Sequence, residues 1–420
     1  KIHKIIYIMC LLCFFAANQK DRPMSVHIAD KHLKLAEKLV RKARANGGLA
    51  PLDLDRFWAD QDKAIKAPWA ADCPQVPLGI GMSSECLFAE LGVPEDWHRL
   101  CHDDEFRVGL ERRYNDVAAK IVGKRVLGEW KPNPAHRWPA IKDLSDIFEA
   151  RNEWHDMSYW LQQSAQNEDE LKALLDRVEA RLQRLREFML PPDWAEAKAR
   201  IKAAGGQAPL YRGQRGPITF AMSVFGVENV IYLIADNPDL AGRFRDLLLR
   251  AMLERARVLD EEAGYTPKTA PHGFYFCDDN CAMLNAGMYE FFGYPILKAV
   301  FERYSPDPGD TRGQHSDSDM AQHLPVLGRL GMTSVNLGPN VTVAQIRQHL
   351  PKAVIYGQLA PFTFSRNEEV NIVAEFVRDF EMARDRRGLV FATAGSINNG
   401  SRLTGMRLIM AAIQEYGRYA

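Results

Sequence analysis

His315, Asp317 and Asp319 alternate along one short run, His-Ser-Asp-Ser-Asp. Side chains of an extended strand alternate faces, so a strand that persisted through this run would point all three the same way. One imidazole with two carboxylates is a donor set for zinc, manganese or iron, not for a thiolate-selecting metal. Crowded carboxylates also raise one another's pKa, which suits acid–base work. Asp310 lies on the same stretch, and Asp278 and Asp279 follow another strand-like run, Gly273 to Cys277. The competing reading is that Asp319 and its neighbours cap the helix that starts at Met320.

Other groups fall at comparable points. Arg212 and Arg215 flank a strand end, where a guanidinium fork binds a substrate carboxylate or phosphate or else forms a rim salt bridge. Asn336, Asn340, Asn398 and Asn399 offer amides beside strand ends, and Tyr211, Phe276, Tyr356 and Phe391 offer an apolar wall. Cys277 and Cys281 could present two thiols to one metal, although buried cysteine more often serves as a small hydrophobe. Glu85-Cys86 follows a strand-like run, Val76 to Met82, and could complete a site from the N-terminal half.

These groups act together only if strands carry them to one end of a sheet. Strands are expected at Ala208–Tyr211, Gly273–Cys277, Thr311–His315, Ser334–Leu337, Val354–Tyr356 and Leu389–Thr393. Helical periodicity lies between them at Leu240–Ala263, Met320–Leu330, Val343–Leu350 and Glu368–Arg386. That alternation means parallel β-α units, with functional groups at the carboxyl ends of the strands. Upstream, helices are expected over Val26–Ala45, Leu52–Trp69 and Asp103–Val126, and a charged helical hairpin over Leu144–Met189. Pro191-Pro192 and Gly205-Gly206 break the chain. The expected organisation is a leader or upstream extension over 1–23, a largely helical N-terminal elaboration over 24–207 that contributes early barrel elements, and a barrel over 208–420.

Composition narrows the function classes. The 420 residues suit one α/β barrel with an elaboration. Lysine plus arginine equals aspartate plus glutamate at 54 each, so no basic excess draws nucleic acid. Seven irregularly spaced cysteines argue against a disulfide framework and for a reducing, cytoplasmic compartment. Ile5–Ala17, an apolar run after Lys1 and Lys4, reads either as an export signal or as sequence preceding a start at Met24.

Several segments, in order, resemble the uroporphyrinogen decarboxylase family. Gly216-Pro217-Ile218-Thr219 resembles its Gly-Pro-Phe-Thr segment, and Asp236-Asn237-Pro238-Asp239 its Asp-x-Pro-Glu turn. Asp278-Asp279, Tyr289-Glu290 and Tyr294-Pro295 resemble its following strand, loop and helix. His315-Ser316-Asp317-Ser318 is similar to its His-Ser-x-Gly segment, Leu330-Gly331-Met332 to its Leu-Gly-Val turn, and Gly357-Gln358-Leu359-Ala360-Pro361 to its Gly-Asn-Leu-Asp-Pro. Glu415-Tyr416-Gly417 closes the series. The likeness covers about the C-terminal half.

The resemblance implies a (β/α)8 TIM barrel with its site in the mouth, and one of two activities. The decarboxylase branch needs N-terminal arginines, in an Arg-Gln-Ala-Gly-Arg stretch that this chain lacks. The methyltransferase branch uses zinc held by His-x-Cys and a cysteine on the last strand. Here those positions read His315-Ser316-Asp317 and Gly395-Ser396, so the soft thiolate site is missing. The expectation is therefore methyl or one-carbon transfer involving a corrinoid carried by a partner protein, with a small-molecule substrate and a homodimeric enzyme. Cofactor-independent decarboxylation of a polycarboxylate is the alternative, and a non-catalytic binding barrel a further one. His315, Asp317 and Asp279 are the expected catalytic residues. Arg212, Arg215, Asn336, Gln358 and Ser396 are the expected substrate contacts, and His315, Asp317 and Asp319 the expected ligands of zinc or another divalent metal.

Overall fold

The computed structural model describes residues 26–419, so the leader expected over 1–23 lies outside the described residues. Helix α1 (Asp30–Ala45) buries Ala36, Leu39, Val40 and Ala43, the i, i+3, i+4, i+7 stripe of an amphipathic helix. Helix α2 (Leu54–Ala64) starts where Asp53 accepts from the Arg56 amide. An extended segment then runs parallel to the last strand of the sheet, with Leu78 opposite Phe391. Gly79 N donates to Phe391 O, and Phe391 N donates to Pro77 O. Leu78 turns its own amide and carbonyl the other way, where the Gln61 side chain satisfies both at 2.8 Å. A 3-10 turn at Ser84–Cys86 leads into α3 (Leu87–Leu91), followed by α4 (Trp97–His102) and α5 (Asp104–Ile121).

The helical hairpin expected over Leu144–Met189 is corrected. Strands β1 (Asn152–His155) and β2 (Ser158–Leu161) pair antiparallel inside it, and α6 (Glu168–Leu182) is its one long helix. The flanking charges hid a short aromatic run: Trp154, Tyr159 and Trp160 favour strand, and Asp156 takes the left-handed conformation at the turn (φ 53°).

The rest is a mixed α/β assembly around one six-stranded parallel sheet. Its main elements, in chain order, are β3 (Gly213–Arg215), α7 (Pro217–Phe225), α8 (Val227–Asp236), α9 (Pro238–Ala263), β4 (Phe274–Cys277), α10 (Ala286–Tyr304), β5 (Arg312–Ser316), α11 (Leu324–Arg329), β6 (Ser334–Leu337), α12 (Val343–His349), β7 (Val354–Leu359), α13 (Glu369–Ala383), β8 (Leu389–Thr393) and α14 (Leu403–Tyr416). The strands lie in sequence order, β3 to β8. Helices return the chain between parallel neighbours, as parallel pairing requires. The first strand is shifted from the expected Ala208–Tyr211, because its ladder with β4 starts at Gly213 opposite Tyr275. Pro209, which lacks an amide hydrogen, falls inside the expected run.

No single helix among the described residues is long and apolar enough to cross a membrane. The apolar pair α7 and α8 is bent by 104° at its junction.

Candidate active site at the carboxyl ends of the strands

Register builds the site before any side chain is considered. Arg215 pairs with Cys277, Cys277 with His315, and His315 with Asn336. These four residues therefore form one row across β3, β4, β5 and β6 on a single face of the sheet. Two residues earlier lies a second row, Gly213, Tyr275 and Gly313. A side chain at Gly313 would collide with the Tyr275 ring, so glycine leaves room for that ring as the floor beneath His315. Sequence reasoning missed Tyr275. Its only signal was that glycines stand at the matching positions of two neighbouring strands.

The imidazole of His315 is held in one tautomer. The Asn336 amide nitrogen donates to Tyr356 O at 2.5 Å and Thr393 O at 2.8 Å, which fixes which end of the amide faces His315. Asn336 Oδ1 lies 2.6 Å from His315 Nδ1 and can only accept, so Nδ1 carries the hydrogen. Nε2 then faces Asp317 Oδ1 at 3.2 Å, either as a lone pair or protonated as imidazolium. Asp317 is the main cause of a His315 pKa raised above 6.5, and His315 the main cause of an Asp317 pKa lowered below 3.8. The two shifts agree in direction, as an ion pair requires.

Asp317 is oriented from two sides. The Ser396 amide donates to Asp317 Oδ1 at 2.7 Å, and its hydroxyl to Oδ2 at 3.3 Å. Any side chain at Gly395, where φ is 102°, would run into the same carboxylate. The Asp317 amide in turn donates to Asp279 Oδ1 at 2.7 Å. One ligand atom from each of Asp279, His315 and Asp317 lies within 4.8 Å of the others.

Solvent reaches Asp317, Cys277 and Glu85, yet enough protein surrounds Cys277 and Glu85 to disfavour charge on them. Burial raises the pKa of Cys277 and of Glu85. Asp279 and then Asp317 add to the effect at Cys277, and Asp317 adds to it at Glu85. Asp278, beside them, is fully buried. It accepts from the Thr219 amide at 2.8 Å, and burial pushes its pKa up to about 6.

Other expected site residues go elsewhere. Asp319 is separated from the cluster because β5 ends at Ser316; its carboxylate accepts from the Ala321 amide two residues on at 3.0 Å, a local turn bond just before the 3-10 turn Ala321–His323. Arg212 precedes β3 and turns to the opposite end, donating to Pro271 O, Tyr211 O and Asp260. Gln358 is buried and donates to Gly338 O and Val341 O, tying down the loop after β6. Arg215 remains at the mouth with a single side-chain bond, to Ser223 Oγ at 3.2 Å, and no carboxylate partner among the described residues. A separate open cleft of about 630 Å³, lined by Glu179, Arg243, Arg250 and Phe291 among others, contains none of these groups.

No protein-family model matches the chain, and no curated protein matches it. Among solved structures the chain is similar to a methyltransferase from Methanosarcina mazei. The likeness covers 85% of this chain and 98% of that one, with a TM-score of 0.51 and 16% sequence identity. At that identity the likeness shows the fold.

Proposed function

We propose that the protein is a (β/α)8-barrel enzyme of the uroporphyrinogen decarboxylase family that transfers a methyl or other one-carbon group. A small molecule would be one partner and a corrinoid protein the other, in a cytoplasmic homodimer. One observation carries the reading: at the carboxyl ends of a parallel sheet, Asn336 fixes His315 so that Nε2 faces Asp317, with a ligand atom of Asp279 in the same group. The motif resemblance supports the family, and the name of the structural neighbour supports the reaction class.

The same donors fit a divalent cation. Deprotonated, Nε2 would coordinate in place of its pairing with Asp317 while Nδ1–H is held by an amide, the usual arrangement of a ligating histidine. One nitrogen and two carboxylates suit zinc, manganese, iron or cobalt. Bound there, such an ion would supply Lewis acidity that makes an acceptor thiol, hydroxyl or water nucleophilic near neutral pH. The chain's own residues do the rest. Ser396 holds Asp317 in place, Tyr275 floors the site, and Arg215 offers unused donors to an anionic group on the substrate. Decarboxylation of a polycarboxylate is the weaker reading, because Arg212 is consumed elsewhere and Arg215 alone faces the mouth.

The test is metal content of the purified protein by mass spectrometry, with His315→Ala alongside, and methyl transfer from methylcobalamin to a panel of thiols. A stoichiometric metal that disappears in the variant supports the reading. Absence of metal after chelator-free purification and reconstitution rules out metal-assisted transfer.

A further inference from the structure

The extended segment before Glu85 lies in register with β8. Leu78 pairs with Phe391, and past that bridge the segment stays beside the chain that follows β8. Contacts agree: Cys86 Sγ approaches Asn398 O at 3.9 Å, and further along, Leu403 N donates to Glu90 and Asn399 to Glu95. The loop after β8 therefore holds Asp317 through Ser396 and, two residues later, meets the turn that carries Glu85. Ser83 Oγ accepts from the Glu85 amide, and Ser84 is tied to Glu111, so the backbone of that turn is fixed. The Glu85 carboxylate makes no hydrogen bond or ion pair among the described residues, and burial, with the charge of Asp317 second, raises its pKa. It stands outside the 4.8 Å group formed by Asp279, His315 and Asp317.

We propose that Glu85 is an additional ligand of the divalent-cation centre, swinging from the N-terminal region onto an ion held by His315, Asp317 and Asp279. This inference rests on the metal reading of the site. The reason is electrostatic. Three carboxylates beside one imidazole leave an excess of negative charge that a dication neutralises, and Glu85 is the one with no other engagement. The turn beneath it is pinned, so its approach to the ion is by side-chain rotation. The centre would then take three oxygens and one nitrogen. That set favours manganese, iron, cobalt or zinc over thiolate-selected ions.

The experiment uses cobalt(II) alone as the probe, titrated into the full chain and followed by its visible absorption. Wild type, Glu85→Gln, His315→Ala and Glu95→Gln are compared, with circular dichroism to confirm folding. Glu85→Gln is expected to weaken cobalt binding at least about tenfold and to alter the absorption band, because a ligand has changed. Glu95→Gln, a carboxylate in the same region that hydrogen-bonds Asn399, is expected to match wild type. If Glu85→Gln keeps both the wild-type affinity and spectrum while His315→Ala loses binding, the role of Glu85 is overturned and the metal site stands. If wild type binds no cobalt, the metal reading itself fails and this inference falls with it.

Discussion

The two ends of the same sheet each carry a histidine with two aspartates, and they differ in what surrounds them. At the amino ends of the strands, His272, Asp307 and Asp310 bring ligand atoms within 4.8 Å of one another, as His315, Asp317 and Asp279 do at the carboxyl ends. The His272 side chain is 38% exposed and Asp307 70%, while the His315 side chain is 18% exposed and braced by Asn336. The arginines show the same contrast. Arg212 and Arg312, at the amino ends, spend their donors on carbonyls and on Asp260. Arg215, three residues beyond Arg212, has one bond. One end uses its polar groups to hold itself together, and the other keeps binding capacity in reserve. Proximity of ligand atoms alone is thus a poor criterion; a fixed imidazole in a crowded mouth separates the two clusters.

The largest expected effect separates the clusters directly. His315→Ala is predicted to remove measurable divalent-metal binding by calorimetry, while His272→Ala leaves it unchanged. Equal losses in both variants would erase the distinction between the two ends.

Next come the arginines. Arg212→Ala should destabilise the fold by about 3 kcal/mol in a urea titration, since it strands the buried Asp260. Arg215→Ala should change stability by less than about 0.5 kcal/mol and instead weaken binding of an anionic substrate. The reverse pattern would mean that Arg215 is structural.

Asn336→Ala should weaken metal affinity about 10- to 100-fold through loss of the imidazole's anchor. An affinity equal to wild type would show that His315 needs no orienting partner.

The smallest effect concerns pH in the metal-free protein. The raised His315 pKa contributes stability that is complete below 6.5 and is lost as pH rises through the folded value. The lowered Asp317 pKa contributes stability present above 3.8 and lost as pH falls through its folded value. Asp317→Asn should therefore cost most between about pH 4 and 6.5 and least at pH 9. The cost should stay under about 1 kcal/mol, because the carboxylate is half exposed. A histidine NMR titration should place the His315 pKa lower in that variant; an unmoved value would dissolve the pair.

The parallel β-α rhythm was legible because strands and helices have different hydrophobic periods, and β4 to β8 fall close to where that rhythm puts them. The hairpin β1–β2 was not, because its aromatic residues sit between long charged helical runs. In the candidate site, His315, Asp317 and Asp279 were singled out from local pattern, and Ser396 from the family resemblance. Asp319 was grouped with them on the assumption that the strand continued, and the chain turns after Ser316 instead. Asn336 was read as a substrate contact, and the structure gives it a prior engagement with His315.

The sequence by itself determined which residue types stand at strand ends, since alternation and helix signals are local. Only the tertiary structure decided which strand ends meet and which way each side chain is already committed. Arg212 and Arg215 are alike in type and nearly alike in position. Their difference lies in partners that are remote in sequence, Asp260 for one and an open mouth for the other, and no local pattern encodes that.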